Sequence, residues 1–315
     1  MYVIDAVFLF QNLYTLPFVL LYCLEVFVII RNRGKDDYRT PFYQLFLIGA
    51  AMDLLAVSNS ILVFRMRLSP MVNGVFERIS HSIWIRISVG LFFYLPAVQD
   101  IICILIALNR CTAIVFTKAH RKFWRYFTPF CIPIALLPPA YSYWEQFIMA
   151  TFMVRLTTNG YPVYVTRQDD STHPEINRGL ICALYLVISG VISLFLYIVA
   201  GLKLRSYTKL KKGIRGQLQN NIDRRLFFYG VAVFSLSVLC AIVQVFAVIA
   251  QTNKYTIMYD ALAYVTPFMV DIKSLPSAVL MLIFNISLRK QCIAIVKAAC
   301  KKKTNSISTT TTEIA

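Results

Sequence analysis

Acidic residues are scarce in this chain: fifteen Asp and Glu stand against 32 Lys and Arg, for a formal net charge of +17. Histidine is scarcer, with only His81, His120 and His173, far apart. No CxxC pair or Cys/His cluster has metal-ligand spacing, so no metal or other cofactor is expected. The eight cysteines are Cys23, Cys103, Cys111, Cys131, Cys182, Cys240, Cys292 and Cys300. None falls in a segment expected to face the oxidising side, which argues against a structural disulfide. No polar stretch is long enough to build a domain with its own core. What the chain does have is apolar residues, 58% of the total, gathered in long blocks. A soluble core cannot absorb such blocks, whereas a bilayer requires them.

Seven spans are expected, at Val7–Ile30, Tyr43–Phe64, Ile87–Leu108, Phe127–Ala150, Gly179–Leu202, Leu226–Ala250 and Ala263–Leu288. Each is long enough for a hydrocarbon core of about 30 Å. The predicted fold is an all-α membrane protein, a seven-transmembrane helix bundle spanning residues 1–303, with a disordered tail at 304–315. Only Asp5 precedes the first block, with no basic leader, so an uncleaved first helix is expected rather than a signal peptide.

Lys and Arg set the orientation. The segments after spans one, three and five and the tail hold 23 basic residues. The other side holds far fewer, among them Arg65, Arg67, Arg78, Arg155, Arg167, Arg178 and Lys254. The rich side is expected to be cytoplasmic, which puts the N-terminus outside and the C-terminus inside. That arrangement requires an odd number of spans, in agreement with seven. These basic residues are spread over four short segments without interleaved aromatics, so they match lipid headgroups and not a nucleic acid.

The connecting segments are short. The longest outer one, Thr151–Arg178, is rich in turn formers, among them Thr157, Thr158, Asn159, Gly160, Asp169 and Asp170. The third inner segment, Lys203–Arg225, carries eight basic residues and one acid, Asp223. Its start, Leu204–Leu210, is expected to extend helix five into the cytoplasm. It reads either as a docking surface for an intracellular protein or as topology and headgroup contact. Ser287–Lys301 reads as a short amphipathic helix in the inner interface, with Cys292 and Cys300 as candidate lipidation sites. The triplet Asn285-Ile286-Ser287 has glycosylation spacing but falls at the inner end of span seven, where sugar is not added.

Polar groups within the spans each need a reason, because a charge in hydrocarbon costs several kcal/mol. Asp53 lies mid-span two, with Asn59 further out; Asp100 lies mid-span three; Glu145 lies near the outer end of span four. Asp271 and Lys273 occupy the outer part of span seven. Two apart, they do not share a helix face and are expected to pair with other helices or reach the interface. Asp53, Asn59, Asp100, Glu145, Asp271 and Lys273 are the candidates for a ligand pocket or polar core. Glu25, near the inner end of span one, is expected to reach headgroups or a basic residue. Asn109-Arg110 closes span three, and reads either as a positive-inside anchor or as a switch that reaches helix six.

Short loops, no soluble domain and a basic inner surface fit a ligand-gated receptor. The rival readings are a seven-span solute transporter and a structural membrane protein without signalling. No internal repeat supports a transporter, no filter a channel, and no paired-acid or metal signature an intramembrane hydrolase.

Thr40-Pro41-Phe42-Tyr43-Gln44-Leu45-Phe46 enters span two, followed by Met52-Asp53-Leu54-Leu55. Leu108-Asn109-Arg110-Cys111-Thr112-Ala113-Ile114 leaves span three, and Leu275-Pro276-Ser277-Ala278-Val279-Leu280 lies in span seven. In this order, over about Val7 to Cys300, the chain resembles the nematode serpentine chemoreceptors, most closely the serpentine receptor class gamma family. The resemblance implies a non-enzymatic, G-protein-coupled sensory receptor for an extracellular small molecule. It would reside in the plasma membrane of a chemosensory neuron or its cilium. Its coupling surface would comprise Asn109, Arg110, Arg205, Lys209, Lys211, Lys212, Arg224 and Arg225, facing a heterotrimeric G protein. The chain departs from rhodopsin-like receptors in several places. Asp53 stands where their helix-two acid does, but no acid precedes Arg110. Pro276 is not followed by their helix-seven tyrosine pattern, and the cysteines of their outer disulfide are missing.

Overall fold

The computed structural model describes residues 2–34, 38–66, 78–79, 82–117, 119–148, 151–158, 161–168, 178–210, 214–253 and 256–298. Helix α1 is Tyr2–Arg31 and α2 is Pro41–Ser60, continued by a π turn at Ile61–Arg65. Then come α3 (Ile83–Val115) and α4 (His120–Ile148). Strands β1 (Thr151–Thr158) and β2 (Tyr161–Gln168) precede α5 (Arg178–Leu210) and α6 (Ile214–Thr252). Helices α7 (Thr256–Ser274) and α8 (Pro276–Phe284) together form the last expected span. A final helical run over 286–298 is α9.

Local chemistry explains several of these boundaries. Pro41 opens α2 in the first turn, where a missing N–H costs nothing. The Thr40 carbonyl accepts the amides of Tyr43 (3.1 Å) and Gln44 (3.4 Å). Pro276 restarts the helix after Ser274, so α7 and α8 meet at a break around Leu275. The ladder is interrupted again at Asn285, whose Oδ1 accepts the Leu288 amide (3.1 Å) and so caps α9.

Among the described residues, six helices are long and apolar enough to cross a membrane: Leu9–Arg31, Pro41–Ser60, Ile83–Val115, Leu180–Ser206, Arg224–Ala250 and Val265–Phe284. The fourth expected span does form a helix, α4, with 29 residues. It falls short in apolar composition, because its first turns hold His120, Arg121, Lys122 and Arg125 and its middle holds Pro129, Pro133, Pro138 and Pro139. The helical architecture is therefore that of a membrane protein with six long apolar helices, plus one proline-rich helix of mixed character. As expected, helix five runs on past the apolar block, to Leu210.

The segment after α4, expected on the outer side, departs from an all-helical reading. It holds an antiparallel hairpin in which Thr151 pairs with Gln168 and Thr158 with Tyr161. That register leaves Asn159-Gly160 between the strands, the dipeptide that two-residue hairpins favour. The turn formers are legible in the sequence, but the paired strands on either side are not.

α3 is the central helix. Its 33 residues make it about 50 Å long, and it packs against α2, α4, α5 and α6. The core joins Tyr22, Phe42, Leu45, Phe46, Val98, Ile102, Trp124, Tyr229 and Met281. Outward-facing residues are equally apolar: Leu13, Leu137, Val191, Phe195 and Leu202 are all exposed, as helices bathed in acyl chains require.

Among the described residues, two close approaches need glycine. A Cβ at Gly90 would stand 2.7 Å from the Phe147 ring, and one at Gly230 would stand 2.9 Å from ring carbons of Tyr197. Tyr197 is itself held by Phe227 and Phe234 (ring centroids 5.9 and 6.0 Å), so it has little room to yield. Gly230→Val is expected to lower stability by about 1–3 kcal/mol, read as a lower thermal unfolding midpoint of the purified protein. The same exchange at Gly190, where nothing lies within 4 Å, should leave the midpoint unchanged.

Candidate functional site

The last span carries polar residues along its inward side, and they reach other helices. Three groups result, stacked along α7 and α8.

In the first group, Arg65 and Asp271 form a buried salt bridge. The π turn at the end of α2 brings Arg65 inward, where it is only 1% exposed. Its Nη1 donates to Thr15 Oγ1 (2.8 Å) and to the Gln11 carbonyl (3.3 Å) on α1. The Tyr14 hydroxyl donates to the other oxygen of Asp271. Sequence position alone puts Arg65 among the outer loop charges. The structure corrects that placement: the widened turn carries the guanidinium into the bundle, against a buried carboxylate.

In the second group, Lys273 Nζ donates to Asp100 Oδ1 (2.6 Å) and to the Pro96 carbonyl (3.0 Å). Pro96 and Asp100 are four residues apart on α3, so both acceptors lie on the side that Lys273 meets. Lys273 and Asp100 are both buried, so each charge is neutralised where it sits. Asp100 Oδ2 has no hydrogen-bond partner among the described residues.

In the third group, Asp53 gathers three helices. The Tyr22 hydroxyl donates to Asp53 Oδ2 (2.5 Å), Gln99 Nε2 to Oδ1 (2.6 Å) and Ser277 Oγ to Oδ2 (3.2 Å). Gln99 also reaches Ser274 Oγ (3.0 Å). A cavity of about 40 Å³ lies beside Asp53, Gln99, Lys273 and Ser277. It has room for a water or two. An organic ligand needs about 300–1,000 Å³, so its entry here requires the helices to part.

The remaining candidates fall elsewhere. Asn59 Nδ2 donates to the Ser88 carbonyl (2.9 Å), tying α2 to α3. Glu145 is half-buried on α4, outside the three groups. Glu25 does not reach headgroups or a basic residue, as its position near the end of span one suggests. It is fully buried, and neither carboxyl oxygen has a hydrogen-bond partner among the described residues. Asn285 is buried too and donates to the Tyr43 hydroxyl (2.6 Å), fixing the start of α9 against α2.

Near the C-terminal end of α3, Arg110 and Asn109 are buried. Arg110 Nη2 donates to Asn109 Oδ1 (2.5 Å), and its guanidinium lies 4.3 Å from the Phe42 ring centroid. Phe42 in turn meets Tyr229 of α6 edge-on (5.8 Å). Arg205, Arg224 and Arg225 are exposed. Lys211 and Lys212 lie outside the described residues, as does the side chain of Lys209. Cys292 is 4% exposed, so acylation there requires α9 to lift away. Cys300 lies outside the described residues.

Sequence reasoning names the charges but misses the neutral partners: Tyr14, Tyr22, Gln99, Ser274 and Ser277. The available signal is spacing. Asp271 and Ser274 are three apart, and Lys273 and Ser277 four apart, the spacings at which two residues fall on one side of a helix. One titrating group lies ahead of the apolar part of α4: His120 is pushed down to about 4 by burial and by the nearby Arg110 charge.

The profile of the family described as "Srg family chemoreceptor" matches residues 8–292. Serpentine receptor class gamma-9 of Caenorhabditis elegans is 24% identical over 152 residues, covering 47% of this chain and 45% of that protein. Serpentine receptor class gamma-3 of the same organism is 25% identical over 148 residues, covering 46% and 44%. The chain thus spans about half the length of the curated relatives it matches.

Two measurements check the energetics of these contacts. With the His120 imidazole lowered in the folded state, the unfolded chain takes up a proton there before the folded one. Stability from this group is present above about pH 6.5 and is lost as pH falls towards 4. His120→Gln is expected to flatten that part of the pH dependence of thermal unfolding. Tyr22→Phe, which removes one donor to Asp53, should cost about 1–3 kcal/mol, read as a lower unfolding midpoint.

Proposed function

The chain belongs to the Srg chemoreceptor family, and from that premise we propose that it is a seven-helix, G-protein-coupled chemosensory receptor. α4 supplies the seventh crossing, with the N-terminus outside and the C-terminus in the cytoplasm. An extracellular small molecule binds within the bundle, and the inner face signals to a heterotrimeric G protein. The protein works in the plasma membrane, in a chemosensory neuron or its cilium.

The observation that carries this reading is the way the last span is fastened. It is broken at Leu275 and at Asn285, and tied by buried polar contacts to α1, α2 and α3. A ligand that competes for Asp100, Lys273 or Asp271 would change those ties directly. The two breaks let the inner part move separately from the outer part. Arg110, on its Phe42–Tyr229 stack, lies where such a movement would expose it to a partner. The exposed Arg205, Arg224 and Arg225 would then complete a basic coupling surface.

The test is nucleotide exchange on heterotrimeric G proteins by the receptor in nanodiscs, screened with pooled small polar and lipid-like compounds. Arg110→Ala should abolish the ligand-dependent signal while sparing surface expression. Normal signalling by that variant would refute the role given to Arg110. Saturable solute flux in proteoliposomes, without exchange, would favour a transporter.

A further inference from the structure

We propose that the inner end of α4 is a binding site for an anionic phospholipid, with the headgroup at Lys122 and an acyl chain along the aromatic face beyond it. An open groove of about 480 Å³ runs along this helix, lined by Ala119, Lys122, Phe123, Tyr126, Phe127 and Phe130. These positions recur at three- and four-residue steps, so they form one face. The face is turned outward by what lies behind it. Trp124 is fully buried, and its indole N–H donates to Thr112 Oγ1 of α3 (2.8 Å). His120 Nδ1 meets the same hydroxyl (3.2 Å). These two contacts fix the rotation of α4 and leave Tyr126 and Phe130 exposed.

The groove is polar at one end only. Lys122 stands at the helix start, with Arg121 and Arg125 exposed beside it. No acidic residue occurs between Asp100 and Glu145. Phe130 lies about 12 Å further along the axis, and Phe123 stacks on Phe127 between them (5.1 Å, 23°). Positive charge at the membrane surface followed by aromatic surface at greater depth matches an amphiphile with an anionic head. A cation would be repelled, and a soluble anion would leave the aromatic face uncovered. With the orientation proposed above, the site faces the cytoplasmic leaflet, where anionic lipids are concentrated.

The test is native mass spectrometry of the delipidated protein, titrated with phosphatidylserine and with phosphatidylcholine of identical acyl chains. Neither a receptor ligand nor a G protein is involved, so its outcome is separate from that of the signalling reading. Preferential retention of phosphatidylserine is expected. Lys122→Gln should reduce that preference about fivefold, and Tyr126→Ala with Phe130→Ala should weaken both lipids, with unfolding midpoints unchanged. Equal retention of the two lipids, or a preference that Lys122→Gln leaves undiminished, would overturn the proposal. So would competition by glycerophosphoserine, which carries the headgroup without chains.

Discussion

A charge inside a membrane must be neutralised where it stands, and the arrangement of this bundle follows from that constraint. Lys273 has Asp100 and Arg65 has Asp271, and each pair joins the last span to a different helix. Burying an ion costs several kcal/mol, and its partner must be placed well to offset the cost. The relative heights of α2, α3 and α7 are therefore set by these two pairs. Shape packing alone is less restrictive, since lipid-exposed apolar faces tolerate rotation.

The neutral polar groups refine what the charges fix. Asp53 collects a tyrosine, a glutamine and a serine from three other helices. Asn285 does the same on a smaller scale, capping α9 while holding Tyr43. Such groups weld a bundle, and around Asp53 they interlock, since the Tyr22 hydroxyl also meets Ser277 Oγ (2.5 Å).

Hydropathy blocks and isolated charges are strong signals, so the long apolar helices and the acids within them are legible in the sequence. The two-residue separation of Asp271 and Lys273 points to partners on different helices, and both have them. The identity of those partners is harder to read. Arg65 sits at the end of an apolar block and looks like a loop charge until a π turn draws it in. Tyr22 and Ser277 carry no charge and vanish in apolar runs. The hairpin after α4 is passed over because its turn formers suggest only a loop, although its eight-residue strands are rich in Val, Tyr and Thr. Glu25 departs from its expected place at the interface, as nothing in its neighbourhood of sequence shows that the core covers it.

The most direct test of the central claim is a double-mutant cycle on the Lys273–Asp100 pair, read as the thermal unfolding midpoint of the purified protein. Lys273→Met and Asp100→Leu should each destabilise strongly, by about 3–5 kcal/mol, since each strands a buried charge. The double variant should recover much of that loss, because no unpaired charge remains. If the two losses simply add, the pair is not what fastens the last span to α3.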